Sequence, residues 1–148
     1  MKRVRYAVVG LGHIAQVAVL PAFAHAAKNS QLAALVSGDP AKLTHLSAKY
    51  KVKHTYSYRE YDRCLKDGQV DAVYIALPNS MHCEYATRAA RAGLHVLCEK
   101  PMAVTEHECR TMIRAAQRAD VKLMIAYRLH LEQANMTTVE IARSGKLG

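Results

Sequence analysis

The stretch from Val4 to Ala15, VRYAVVGLGHIA, constrains this chain more than any other. Val4, Tyr6, Ala7, Val8 and Val9 form a short apolar run, as expected of a strand in the centre of a parallel sheet. Gly10, Gly12 and Ala15 follow with the spacing G-x-G-x-x-G/A. In that pattern the first glycine allows a tight turn, the second leaves bare backbone for a pyrophosphate, and the small third residue lets a helix close on the strand. Phosphates would rest on unpaired N–H groups at the helix N-terminus, where the helix dipole favours negative charge. The same spacing also suits a strand-to-helix turn without any ligand, so context has to add weight. It does: the strand before the turn is clear, and a helix over about His13 to Ala27 is apolar on one face through Ile14, Val17, Ala18 and Phe23. Pro21 should kink or interrupt that helix.

The 148 residues predict one domain, long enough for a real core. No apolar run reaches the length of a membrane span. The 21 Lys and Arg against 12 Asp and Glu give a net charge of +9, which attracts polyanions. The basic residues are scattered singly and Trp is absent, which argues against nucleic-acid binding; a dinucleotide is a polyanion too. Cys64, Cys83, Cys98 and Cys109 are widely separated and form no metal-ligand spacing, so no metal site is expected and the thiols read as core residues of a reducing compartment. Lys2, Arg3 and Arg5 before an apolar stretch ending in Ala24, His25, Ala26 imitate a signal peptide. Gly10, Gly12, His13 and Gln16 break its apolar centre, so the start reads as mature structure and a cytoplasmic location is expected.

Strands and helices alternate along the rest of the chain. Strands are predicted over Gln31 to Ser37, Lys53 to Tyr56, Asp71 to Leu77, Leu94 to Cys98 and Lys122 to Ala126. Asp39 before Pro40 reads as an N-cap with proline at the first helical position, Ser57 caps a helix from Tyr58 to Asp67, and Ser80 is a further N-cap candidate. Thr105 and Glu108 fit a capping box opening a helix to Ala119, and a last helix is expected over about 131–144. Because each parallel crossover needs a helix to cover the sheet, the expected fold is α/β: a single doubly wound parallel sheet of the Rossmann dinucleotide-binding type.

Ser37 falls roughly two dozen residues after Gly12, where a dinucleotide fold reads the adenosine ribose. An NAD site usually has Asp or Glu there. A serine removes the repulsion toward a 2′-phosphate and Lys42 could supply a counter-charge, so NADP is favoured over NAD. Alternatively, Ser37 merely ends a strand and Lys42 is solvated. Glu99, Lys100 and Pro101, delivered to the sheet edge directly after a buried strand, are poorly explained by packing.

With GLGHIA, VSGDPAK, ALPNSMH, CEKPM and AYRLH in order along the chain, the sequence resembles the Gfo/Idh/MocA oxidoreductases, and among them the glucose-fructose oxidoreductase branch. The resemblance covers essentially the whole chain. It implies a pyrophosphate turn through Gly10, Gly12, His13, Ile14 and Ala15, and a 2′-phosphate site at Ser37 and Lys42. It further implies that Tyr58 helps hold the adenosine half and that Leu77, Pro78, Asn79 and His82 lie beside the nicotinamide ribose. Glu99 and Lys100 belong to the E-K-P motif, whose lysine contacts cofactor and reacting hydroxyl as the catalytic residue, and Arg128 lies near the nicotinamide. The implied activity is hydride transfer between a sugar or polyol hydroxyl carbon and nicotinamide, with a sugar as partner and a homo-oligomer in the full-length enzyme. In that family a second α+β domain supplies the substrate pocket. This chain stops at Gly148, so the substrate domain is expected to be absent and the chain alone inactive. The rival reading is a non-enzymatic nucleotide-sensing or interaction module of the same fold.

Overall fold

The computed structural model describes residues 3–146. Six strands form one parallel sheet: β1 (Val4–Val9), β2 (Ser30–Val36), β3 (His54–Tyr56), β4 (Ala72–Ile75), β5 (His95–Cys98) and β6 (Leu123–Ile125), in the order β3-β2-β1-β4-β5-β6. The chain starts in the middle, winds outward to β3, then crosses back to β4. The reversal places the carboxyl ends of β1 and β4 side by side, the crevice where open α/β sheets bind ligands.

Alternation along the strands divides the core. Ala7 and Val9 of β1 pack with Ala34, Val36, Val73, Ile75, Val96 and Cys98 on one face, under helices α3 (Tyr61–Lys66), α4 (His82–Arg91) and α5 (Glu106–Arg118). Val8 and Leu35 point the other way, against Leu20 of α1 (Leu20–His25) and Leu46 of α2 (Pro40–Tyr50). At the opposite edge Arg5, the one charged residue in β1, forms a two-pronged bond with Asp71, Nε to Oδ2 at 3.0 Å and Nη2 to Oδ1 at 2.7 Å, which ties the starts of β1 and β4.

The second face is only half covered. Tyr6, Phe23, Tyr74, Leu97, Met124 and Tyr127 line an apolar groove of about 330 Å³ beside β4, β5 and β6. The last helix, α6 (Gln133–Arg143), buries none of its residues.

The local expectations hold with instructive exceptions. The first helix passes through a π-helical turn over Ala15–Val19 before α1. Pro21 lies just beyond it, where its missing N–H and ring are incompatible with an ordinary bond to the carbonyl four residues back. Asp39 caps α2 by accepting from the Lys42 N–H at 3.1 Å, and Thr105 and Glu108 form the expected box on α5. Ser57 and Glu60 form a second such box, although the helix there opens as a 3₁₀ turn over Tyr58–Glu60. Ser80 is not a cap: it sits inside a 3₁₀ turn, Asn79–Met81, and α4 begins at His82 with no side-chain cap bond. The tight turn satisfies the backbone by itself, since Pro78 accepts from the Met81 N–H at 2.9 Å. Another 3₁₀ turn, Arg128–Leu131, precedes α6 and absorbs the start of the predicted last helix.

Candidate functional site

The glycine turn is built by two glycines with different constraints. Gly10 has φ +92, and a Cβ there would lie 2.7 Å from the Ala76 carbonyl oxygen, so both backbone conformation and the neighbouring strand end demand glycine. Gly12 has nothing within 4 Å of its ideal Cβ position. No contact within the described protein calls for glycine at that position, and its open face leaves bare backbone at the start of the helix.

Gly10, Gly12, Ser37, Lys42, Tyr58, Leu77 and Pro78 line one concavity of about 280 Å³ across the carboxyl ends of β1, β2 and β4. Ser37 is buried, and its hydroxyl accepts from the Asp39 N–H at 3.1 Å. Lys42 Nζ lies 3.5 Å from Asp39 Oδ2, so the cation is shared with a carboxylate on the same rim. The Lys42 backbone N–H holds the Asp39 carboxyl below its usual range. Tyr58 packs beneath Gly38, whose Cβ would come within 3.0 Å of the phenol ring. Burial pushes the Tyr58 phenol up, opposed by the Gly38 backbone and the Ser37 hydroxyl beside it.

The ends of β5 and β6 form a second cluster. Lys100 and Arg128 are exposed and line a separate cavity of about 940 Å³ with Tyr127, His130 and α6 residues. Glu99 is buried and accepts from the Tyr74 hydroxyl at 2.8 Å and the Lys100 N–H at 3.3 Å. Tyr74 was not among the residues singled out in the sequence: inside an apolar strand run a tyrosine reads as packing, and only the register of β4 on β5 brings its hydroxyl to Glu99. Burial and the Glu99 carboxylate together push the Tyr74 phenol up. The bond between Lys100 and Pro101 is cis.

His13 and Asn79 stand exposed and Ile14 half-buried at the mouth of the turns, while Ala15 is fully buried against the sheet. His82 is 1% exposed, and its two ring nitrogens face the carbonyls of Leu77 and Pro101, each at 2.9 Å. All four cysteines are free: Cys64 and Cys98 are buried, Cys83 and Cys109 partly so. Among the described residues no helix is long and apolar enough to cross a membrane.

Residues 4–127 match the family described as the oxidoreductase family, NAD-binding Rossmann fold, Gfo/Idh/MocA. The chain is 34% identical over 146 residues to D-xylose 1-dehydrogenase [NADP(+)] of Haloarcula marismortui, covering 98% of this chain and 40% of that protein. Its backbone superposes on the aldose-aldose oxidoreductase of Caulobacter crescentus, solved with glycerol, with TM-score 0.93 and 44% identity, covering 97% of this chain and 43% of the other. The WlbA dehydrogenase of Bordetella pertussis, solved with NADH and UDP-GlcNAcA, superposes with TM-score 0.90 and 25% identity, covering 99% and 44%. The chain therefore spans about two fifths of the length of these relatives. The strand order, the glycine turn and these matches agree: the chain belongs to the Gfo/Idh/MocA oxidoreductase family, through its NAD-binding Rossmann domain.

Proposed function

We propose that this chain is the NADP-binding part of an oxidoreductase that acts on a hydroxyl-bearing carbon of a sugar or polyol. The observation that carries the reading is the concavity in which the open face of Gly12 meets Ser37, Lys42 and Tyr58. The turn after β1 holds the pyrophosphate on backbone N–H groups, with Gly10 setting the bend and Ala15 closing the helix on the sheet. The adenosine end lies toward Ser37 and Tyr58. There Lys42 meets the 2′-phosphate, turning from Asp39 to a group of higher charge. Leu77, Pro78 and Asn79 lead toward the nicotinamide ribose at the end of β4.

The bound nicotinamide supplies the hydride chemistry. The chain's own contribution is placement and charge. The Lys100 ammonium, presented at the end of β5, donates to the substrate hydroxyl oxygen and stabilises negative charge as it develops there. Glu99 beneath it is held by Tyr74, and Arg128 adds a second cation to the same rim. More than half the length of the relatives lies outside the matched region, and we place the groups that select the sugar there. The substrate class rests on the relatives, one a xylose dehydrogenase and another an aldose oxidoreductase.

Calorimetric titration of the chain with NADPH and with NADH at matched salt tests the reading. NADPH is expected to bind about tenfold tighter, a difference of about 1.4 kcal/mol. Equal or tighter binding of NADH would remove the 2′-phosphate role from Ser37 and Lys42. Binding of neither would overturn the dinucleotide reading for this chain.

A further inference from the structure

Cys83 of α4 and Cys109 of α5 stand on neighbouring helices, each a free thiol and each partly buried. The Cys83 thiol donates to the Glu108 carbonyl at 3.6 Å, across the seam where α4 packs on α5. Glu108 is the residue before Cys109. In a trans peptide the carbonyl oxygen and the following Cα lie on the same side of the C–N bond, so the Cys83 sulfur rests against the peptide unit that carries Cys109. The seam is held on both sides: Thr105 and Glu108 box the first turn of α5, and Ala86 and Ala89 of α4 are buried in the core.

A third group bears on the pair. Thr87 lies one turn after Cys83 and is 7% exposed, and its hydroxyl is the one buried side-chain polar atom among the described residues that has no hydrogen-bond partner. Leaving a buried hydroxyl unpaired costs stability, so its place needs a reason. Burial pushes the Cys83 thiol up, the Thr87 hydroxyl opposes that shift, and Glu108 and Cys109 act with burial. With the thiol hydrogen spent on Glu108, a hydroxyl donor beside the sulfur is idle; it gains its bond when the sulfur carries negative charge. A thiol passes through that state when it attacks a disulfide.

We propose that Cys83 and Cys109 are a reversible redox pair, closing to an intramolecular disulfide when a low-molecular-weight disulfide such as oxidised glutathione reaches them. Cys109 attacks first. Its sulfur bonds to one glutathione sulfur, the glutathione S–S bond breaks, and the other half leaves as a thiol with the proton that Cys109 gave up. Cys83 then attacks the Cys109 sulfur, its proton passes to the departing glutathione, and Thr87 donates to the Cys83 sulfur while it is charged. Two cysteines are oxidised and one glutathione disulfide is reduced to two thiols. The bridge ties the start of α4, which follows Asn79, to the start of α5, which follows Lys100. It closes whatever the crevice binds.

Intact-mass spectrometry of the full chain after incubation with excess oxidised glutathione tests the pair. The expected product has lost two hydrogens and retains no glutathione, digestion joins Cys83 to Cys109, and dithiothreitol restores the starting mass. Cys83→Ala should hold glutathione on Cys109 as a stable adduct, because the resolving thiol is gone. Thr87→Val keeps the shape, removes the hydroxyl and should slow loss of the adduct at least about fivefold. The bridged chain should unfold at a higher urea concentration than the reduced chain, a shift that dithiothreitol abolishes. Separate adducts on both cysteines, a bridge between two chains, or no reaction of the native chain would overturn the pair. An unchanged rate in Thr87→Val would remove Thr87 from it, and an unchanged urea midpoint would remove the tie between the helices. Should Cys83→Ala fail to fold, the mass and linkage of the unaltered chain decide alone.

Discussion

The hydroxyl of Tyr74 in β4 donates at 2.8 Å to the buried carboxylate of Glu99 at the end of β5, so the strand that closes the apolar groove also braces the residue before Lys100. Tyr74→Phe keeps the ring and removes the donor. Leaving a buried carboxylate short of a partner is expected to lower unfolding free energy by about 1–3 kcal/mol. Urea denaturation of the two proteins measures it, and a change near zero would show that water satisfies Glu99.

Gly10→Ala and Gly12→Ala should separate fold from binding. At position 10 a Cβ meets both a φ of +92 and the Ala76 carbonyl at 2.7 Å, and a loss of about 2 kcal/mol or more is expected. At position 12 nothing of the protein is in the way, so stability should stay within about 0.5 kcal/mol of wild type. NADPH binding by Gly12→Ala should nevertheless fall at least about tenfold, because the methyl group occupies the phosphate's approach. Thermal melts and calorimetry on the same samples check both halves.

The thiols should fall into two classes. Burial pushes Cys64 and Cys98 up to about 12, so neither forms thiolate at neutral pH in the folded chain. Cys83 and Cys109 are partly exposed, although burial pushes the Cys83 thiol up as well, so Cys109 should react before Cys83. A thiol reagent in excess should modify Cys109 and Cys83 in the native state and Cys64 and Cys98 only after denaturant is added. Mass spectrometry of the digested protein identifies the order, and early modification of Cys98 would show that the end of β5 opens readily.

Acid should weaken the caps. Glu60 accepts from the Ser57 N–H and hydroxyl, and Asp39 from the Lys42 N–H, and both carboxyls are held below their ordinary values. A carboxyl lowered on folding contributes stability above its unfolded value, and that contribution disappears as pH falls through the lowered folded value. The window therefore opens below the ordinary values of 4.5 for Glu60 and 3.8 for Asp39. Denaturation midpoints followed down through this range should fall more steeply for the wild type than for Glu60→Gln.

Much of this architecture is legible along the chain because its signals are local. Most strands are short runs of apolar residues, and most crossovers have a cap or a glycine stop: Asp39 with Pro40, Thr105 with Glu108, Gly68 and Gly93 at positive φ. Such signals act over three or four residues, so the sequence carries them whole. Where a helix entry depended on a tight turn's own backbone bonds, as at Ser80, residue type misled, because serine is as compatible with the interior of a 3₁₀ turn as with a cap.

The candidate site divides in the same way. Gly10, Gly12, Ser37 and Lys42 could be picked out by spacing, and they do line one concavity. The sharing of Lys42 with Asp39 is local as well, an ion pair three residues apart in the first turn of α2. Tyr74 was out of view, and so were the buried contacts of His82, a residue the sequence does single out. Tyr74 is paired to Glu99 across 25 positions, and His82 to Pro101 across 19.

The sequence by itself determined the alternation of strand and helix, the family and the glycine turn, since these rest on apolar periodicity and on short-range backbone geometry. Only the tertiary structure decided which polar side chains are spent inside the protein and which face the crevice. A buried hydrogen bond depends on strand register and on the distance between segments far apart in the chain, and neither quantity is written in the order of residues on either side.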